Sequence, residues 1–259
     1  MSKITIKEIR EKYFSAKEAE IDFKWTYYVR RPISYYMAYP FLRLNISATS
    51  VTMIWLAVTA LACAFLITGT YPNMIIGTGL LELAVILDCV DGHIARFNRP
   101  TITGEILDTW AGEILLVSSI LCIGIGLSNS SETTFITNSI AAEFVDFDNT
   151  LFMYIGIIGA VAALSSWTVR LHWRTTAMNL SLTEYEPERG IRKSKATLVL
   201  DNIFHYSGAI TMVMLVSAVI GILDLALIGI SLIYGIYLIA LMRTIVKKAR
   251  SLDSQRPIK

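Results

Sequence analysis

Long apolar runs, separated by short polar or charged stretches, are the dominant pattern of this sequence. About 20 consecutive apolar residues cross the hydrocarbon core of a bilayer as an α-helix, and each run is near that length. No residue is charged between Leu44 and Leu81, and the turn sequence GTYPN (69–73) divides this stretch in two. The predicted spans are residues 51–70, 74–91, 106–128, 150–169, 206–223 and 225–242. The pattern predicts an all-α integral membrane protein with six transmembrane helices.

The composition agrees with this interpretation and excludes a soluble domain of the same length. Of the 259 residues, 54% are hydrophobic, and the mean hydropathy is +0.55, too apolar for a typical soluble protein. The net charge of only +2 gives no reason to expect a nucleic-acid partner. The first residues, MSKITIKEIREKYF, carry charges where a signal peptide needs an apolar core, so we expect no cleavable signal.

The placement of the basic residues predicts the orientation. With both termini in the cytoplasm, all 23 Lys and Arg fall within the cytoplasmic segments 1–50, 92–105, 170–205 and 243–259. The external loop 129–149 then contains four acidic residues and no basic residue. Because cytoplasmic loops carry an excess of Lys and Arg, we predict a multi-pass protein of the cell inner membrane with cytoplasmic N- and C-termini.

The segment before the first span is rich in aromatic and basic residues. It reads FKWTYYVRRPISYYMAYPFLRLN (23–45), a composition typical of a helix that lies in the headgroup plane. Residues 1–45 are therefore predicted to contain an amphipathic juxtamembrane helix, residues 46–245 the membrane domain, and residues 246–259 a basic cytoplasmic tail. The juxtamembrane helix either anchors the first span or forms one wall of a site at the cytoplasmic interface.

Three aspartates flank the connection between the second and third spans. Asp88 and Asp91 are three residues apart and share one helix face, and Asp108 begins the antiparallel neighbour after a short loop. Three carboxylates at one depth repel one another unless a cation neutralises them. Oxygen ligands suit Mg²⁺ or Mn²⁺ bound together with substrate phosphates. The alternative is a set of salt bridges to Arg96 or Arg99 without a metal.

Glu82 is the other acid within the second span. It lies six residues before Asp88, about 240° around the helix and therefore on another face. An acid at this depth is expected either to act in the function or to be hydrogen-bonded at a contact between helices.

The spacing of the aspartates resembles a known signature. The pattern Asp88-x2-Asp91-Gly92-x2-Ala95-Arg96, followed by Gly104-x3-Asp108, is similar to the D-x2-D-G-x2-A-R-x8-G-x3-D-x3-D motif of the CDP-alcohol phosphotransferase family. ISATSVT (46–52) is similar to the opening of that family's first membrane helix. RPIS (31–34) is similar to the R-P-x-S found in members that use polyol-phosphate acceptors. The resemblance implies six membrane helices, a site facing the cytoplasm and a homodimer.

The resemblance also implies a reaction and a set of residue roles. A CDP-linked donor, in many members CDP-diacylglycerol, transfers its phosphoryl-alcohol group to an alcohol or polyol-phosphate acceptor, and CMP leaves. Asp88, Asp91 and Asp108 would bind the metal, and Asp108 would also take part in catalysis. The implied nucleotide contacts are Thr52, Asp88, Gly92, Ala95, Arg96 and Gly104. The implied contacts to the acceptor or another anion are Arg31, Arg170 and Arg174.

Two departures from the signature concern catalysis. Seven residues, not eight, separate Arg96 from Gly104, and the fourth aspartate, the family's general base, is replaced by Gly112. Glu113 follows it, about 100° further around the helix. Three interpretations stay open: Glu113 is a displaced base, the acceptor is activated without a protein base, or catalysis has been lost. A catalytically impaired relative that binds CDP-lipid or a partner protein is therefore the main alternative to an enzyme.

Overall fold

The computed structural model describes residues 5–14, 23–130, 148–179 and 208–255, and all regular structure in these ranges is helical. A π-helical turn, Thr26–Arg30, continues directly into α2. The helices are α1 (Ile6–Phe14), α2 (Arg31–Arg43), α3 (Ala48–Ile67), α4 (Tyr71–Asn98), α5 (Ile102–Asn129), α6 (Thr150–Asn179), α7 (Ile210–Val219) and α8 (Leu223–Gln255).

Five of these helices, α3, α4, α5, α6 and α8, are long and apolar enough to cross a membrane. They indicate a multi-pass membrane protein, as the apolar pattern predicted. The predicted fifth span, 206–223, corresponds to α7, which has only 10 residues within the described ranges. At 1.5 Å per residue, α7 is about 15 Å long, half the roughly 30 Å hydrocarbon core. The sixth crossing therefore stays a prediction.

The N-terminal segment, here residues 23–45, is mainly helical and packs onto α4. One side of α2 is buried, including Ser34, Ala38 and Leu42, whereas Tyr36 on its other side and Tyr28 in the preceding turn are 67% and 70% exposed. Val90 and Ile94 of α4 belong to the same apolar cluster as Ala38 and Leu42. The segment thus has an apolar face against the bundle and an aromatic outer face. Its position at a membrane surface remains a prediction.

The main core lies between α3, α4, α5 and α6, and glycines let these helices approach closely. A Cβ at Gly126 of α5 would lie 2.0 Å from the Leu66 carbonyl oxygen of α3, and one at Gly124 would lie 2.8 Å from the Phe152 carbonyl oxygen of α6. Real Cβ atoms do not come so near backbone atoms, so both contacts require glycine. By contrast, only 17% of the apolar window of α8 is buried, so most of its surface faces outward.

The connection between α4 and α5 determines where the aspartates meet. Helix α4 ends at Asn98, Arg99 has a positive φ of 146°, and Thr101 caps α5 by accepting a hydrogen bond from the Gly104 amide. This turn is the place where the signature is one residue short. Because α5 begins immediately after it, Asp108 in its second turn lies beside the last three turns of α4.

Candidate active site

Asp88, Asp91 and Asp108 form a carboxylate cluster at the α4–α5 end of the bundle. One oxygen from each residue lies within 4.8 Å of the corresponding oxygens of the other two. Asp91 is buried, and Asp88 and Asp108 are partly buried. The structure therefore brings the three predicted acids together, and the reason is the one their spacing suggested: two share a helix face and the third follows a tight turn.

Helix α3 holds Asp91 in a fixed orientation. The Thr52 hydroxyl donates to Asp91 Oδ2 at 2.7 Å, and the Trp55 indole N–H donates to the same oxygen at 2.8 Å. Both donors are buried. Hydrogen bonds to an ionised acceptor are short and strong, so these two orient the carboxylate and leave its other oxygen free of them. Trp55 was missed by the sequence analysis, although its i, i+3 spacing from Thr52 places both on one face of α3.

The cluster has the geometry of an oxygen-ligand metal site. Two oxygens on opposite sides of a Mg²⁺ ion are about 4.2 Å apart, so separations up to 4.8 Å need only small adjustments. Asp108 Oδ1 is buried and has no hydrogen-bond partner among the described residues. A buried carboxylate oxygen without a partner is costly, and a cation would satisfy it. The residues present therefore fit a divalent metal with hard oxygen ligands.

A cavity of about 220 Å³ adjoins the cluster. The residues that line it come from the N-terminal segment, α4 and α5: Phe23, Thr26, Arg31, Val85, Asp88, Cys89, Asp91, Gly92, Arg96 and Asp108. The cavity is thus lined by three carboxylates and two guanidinium groups. This combination suits a ligand that carries both a metal and phosphate groups.

Gly92 lies between the two arginines. A Cβ at this position would be 3.5 Å from Arg96 Nη1 and 3.8 Å from Arg31 Nη1. Arg31 Nη1 also donates to the Cys89 carbonyl at 3.3 Å, which holds its side chain against α4. The positive charges of Arg31 and Arg96 both act on Asp108. The negative charge of Asp108 is therefore balanced in part by two arginines, in addition to the metal that the cluster would bind.

Other residues singled out in the sequence do not line this cavity. The Thr52 hydroxyl bonds Asp91, and Gly104 faces the Thr101 hydroxyl, which would lie 2.9 Å from a Cβ there. Ala95 is half-buried on α4. The nucleotide contacts proposed for these three stay predictions.

Glu113 lies in a second charged cluster, between α5, α6 and α8. Its carboxylate is a charge neighbour of Arg170 on α6 and of the Tyr234 phenol on α8. The Arg170 guanidinium also lies 5.7 Å from the Tyr237 ring centre. Neither Glu113, Arg170 nor the exposed Arg174 is among the residues that line the cavity. The roles predicted for Glu113, Arg170 and Arg174 remain untested.

The fold and the site together define a class: a multi-helix membrane protein with a partly buried three-aspartate cluster beside an arginine-lined cavity. The sequence profile of CDP-alcohol phosphatidyltransferase matches residues 45–246. The chain therefore belongs to the CDP-alcohol phosphatidyltransferase family, as its aspartate spacing suggested. No curated protein matches the sequence significantly. The matched region contains the three aspartates, whereas Phe23, Thr26 and Arg31 of the cavity precede it.

Proposed function

We propose that this protein is a CDP-alcohol phosphotransferase that uses a divalent metal, Mg²⁺ or Mn²⁺, to transfer a phosphoryl-alcohol group to an alcohol acceptor with release of CMP. The observation that carries the proposal is the cluster of Asp88, Asp91 and Asp108 beside a cavity that also contains Arg31 and Arg96. Membership of a transferase family supports the same reaction class.

The metal-binding carboxylates and the two arginines would contact different parts of the donor pyrophosphate. Asp88, Asp91 and Asp108 would hold the metal, and Thr52 and Trp55 keep Asp91 oriented. When bound, the metal neutralises charge on the phosphate oxygens and on the leaving CMP. Arg31 and Arg96 bind oxygens that the carboxylates cannot approach, because like charges repel. Gly92, Ala95 and Gly104 are the candidate nucleotide contacts on α4 and α5, and of these three Gly92 lines the cavity.

The substrates follow from the family and from the surroundings of the site. The proposed donor is CDP-diacylglycerol, whose acyl chains remain in the membrane, and the proposed acceptor is an alcohol or polyol phosphate. Arg31, Arg170 and Arg174 are the candidate groups for an anionic acceptor or headgroup. The site faces the cytoplasm, and the family resemblance favours a homodimer. The segment 188–195, ERGIRKSK, lies outside the described residues and is a further candidate contact with anionic lipid, because of its four basic residues.

The function is tested by CMP release from CDP-diacylglycerol, with purified protein, candidate acceptors and either Mg²⁺, Mn²⁺ or EDTA. We expect release to require both a metal and an acceptor. Metal-dependent binding of CMP without release by any acceptor would favour the alternative, a catalytically impaired relative that binds CDP-lipid or a partner protein. The observation that favours this alternative is that Gly112 occupies the fourth acid position and Glu113 is not among the residues that line the cavity.

The proposed orientation has its own test, the labelling of single introduced cysteines in intact cells. A cysteine in place of Asn138, in the external loop, should react with a membrane-impermeant reagent, and one in place of Ser194 should react only after lysis. The opposite pattern would place the site on the external side and overturn the assignment of the termini.

A further inference from the structure

Arg30 is fully buried and is the centre of a hydrogen-bond network beside the cavity. Its guanidinium forms an ion pair with Glu82 through two bonds, from Nε to Oε1 at 2.9 Å and from Nη2 to Oε2 at 2.8 Å. It also donates to the Thr211 hydroxyl at 2.8 Å, the Gly208 carbonyl at 2.6 Å and the Thr26 hydroxyl at 3.1 Å. Every donor nitrogen of this side chain is engaged.

Glu82, the acid within the second span, also has several hydrogen-bond partners. Besides Arg30, its carboxylate accepts from the Trp25 indole N–H at 3.0 Å and from the Thr211 hydroxyl. Glu82 is only 8% exposed. Of the two sequence-based alternatives, the hydrogen-bonded helix contact is confirmed. A buried charge pair of this kind persists because nearly all of its polar atoms are satisfied.

The network joins three parts of the chain that are distant in sequence. Trp25, Thr26 and Arg30 belong to the N-terminal segment and Glu82 to α4, while Gly208 lies just before α7 and Thr211 in its first turn. Three residues of the N-terminal segment line the cavity: Phe23, Thr26, which bonds Arg30, and Arg31, the neighbour of Arg30 in the chain. The network thus lies directly behind one cavity wall.

We propose that Arg30 is a positioning residue, whose buried pair with Glu82 and bonds to α7 hold the N-terminal segment so that Arg31 faces the carboxylate cluster. This inference rests on the proposed function, since it assigns Arg31 to phosphate binding. Arg31 also donates a hydrogen bond of its own to α4, to the Cys89 carbonyl at 3.3 Å. The adjacent residue, Arg30, is hydrogen-bonded to Glu82, Thr211 and Gly208. These bonds restrict the backbone from which Arg31 extends.

Arginine is required at position 30 because the bonds diverge. The planar fork of a guanidinium donates in several fixed directions, whereas a lysine ammonium is a single point charge. Lysine at this position would keep the charge opposite Glu82 but would not simultaneously bond the Glu82 oxygens, Thr211, Gly208 and Thr26. The Arg30→Lys variant therefore weakens the network, while Glu82 keeps a positive charge opposite it.

The test compares CMP affinity in Mg²⁺ for the wild type, Arg30→Lys, Arg31→Gln and the double variant, using full-length protein in detergent. We expect Arg30→Lys to weaken CMP binding by about tenfold or more, as the loss of an orienting partner does in metal sites. In the Arg31→Gln background, the same change should weaken binding by no more than about twofold, because the two residues act through one contact. Independent, multiplicative losses would overturn the proposal.

Phe152→Leu is the control for a general loss of stability. Phe152 is fully buried in α6 and does not line the cavity. Its replacement should lower the melting temperature while leaving CMP affinity within about twofold of wild type, since a cavity in the core acts locally. If Arg30→Lys lowers the melting temperature but leaves CMP affinity unchanged, Arg30 is a structural residue only. If the wild type itself fails to bind CMP with any metal, the proposed function fails and not this inference alone.

Discussion

The Asp108→Asn variant is expected to lose metal-dependent CMP binding while its fold is retained. Asparagine has nearly the same shape, but an NH2 group replaces one carboxylate oxygen and the negative charge is removed. Asp108 Oδ1 has no hydrogen-bond partner among the described residues, so the change breaks no hydrogen bond of that atom. We expect CMP affinity in Mg²⁺ to fall by about 100-fold or more, because a direct ligand is lost.

The melting temperature without ligand provides a second test of this prediction. Three neighbouring carboxylates repel one another, so removing one charge should leave the metal-free protein at least as stable as the wild type. Glu105→Gln is the matched control, since it removes one charge from an exposed position one turn earlier in α5. Its CMP affinity should remain close to wild type. Unchanged Mg²⁺-dependent affinity in Asp108→Asn would remove this residue from the metal site.

The Glu113→Gln variant is expected to lose turnover while keeping CMP affinity. A positioned general base contributes about 10² to 10⁴-fold to a rate, so CMP release should slow by roughly 100-fold or more. The structure places Glu113 beside Arg170 and not in the cavity. The proposed role therefore requires the acceptor hydroxyl to lie between the carboxylate cluster and the α5–α6–α8 cluster.

The measurement is the rate of CMP release at saturating donor, with CMP affinity determined on the same preparation. Glu105→Gln again serves as the control for charge. Wild-type turnover in Glu113→Gln would exclude Glu113 as the base and favour an acceptor that is activated without one. Equal losses of turnover and CMP affinity would indicate a structural role for Glu113.

Sequence patterns predicted the parts of the site that depend on local spacing. Asp88 and Asp91 share a face because they are three residues apart, and Asp108 joins them because the turn before α5 is short. The apolar runs likewise predicted the five long helices. Helix periodicity and short connections are local properties, so they can be predicted from a single sequence.

Features that depend on contacts between distant segments could not be predicted. Nothing in the sequence indicates that Arg30 pairs with Glu82, 52 residues away, or that Trp55 bonds Asp91. A tryptophan in an apolar helix usually signals core packing, and an arginine before a first span usually signals an anchor. The neighbours of the Glu113 side chain depend on how α5 is rotated against α6 and α8. The spacing of Glu113 from Asp108 does not determine that rotation.

The most direct test of the central claim is the thermal stability of the purified wild-type protein with CMP, in the presence and absence of Mg²⁺ or Mn²⁺. A ligand at 100 times its Kd adds about 2.7 kcal/mol to the stability of the folded state, which for a chain of this size raises the melting temperature by roughly 5 °C or more. The account predicts this rise only when CMP and a divalent metal are both present. No stabilisation by CMP with either metal would contradict the carboxylate cluster as a metal–nucleotide site.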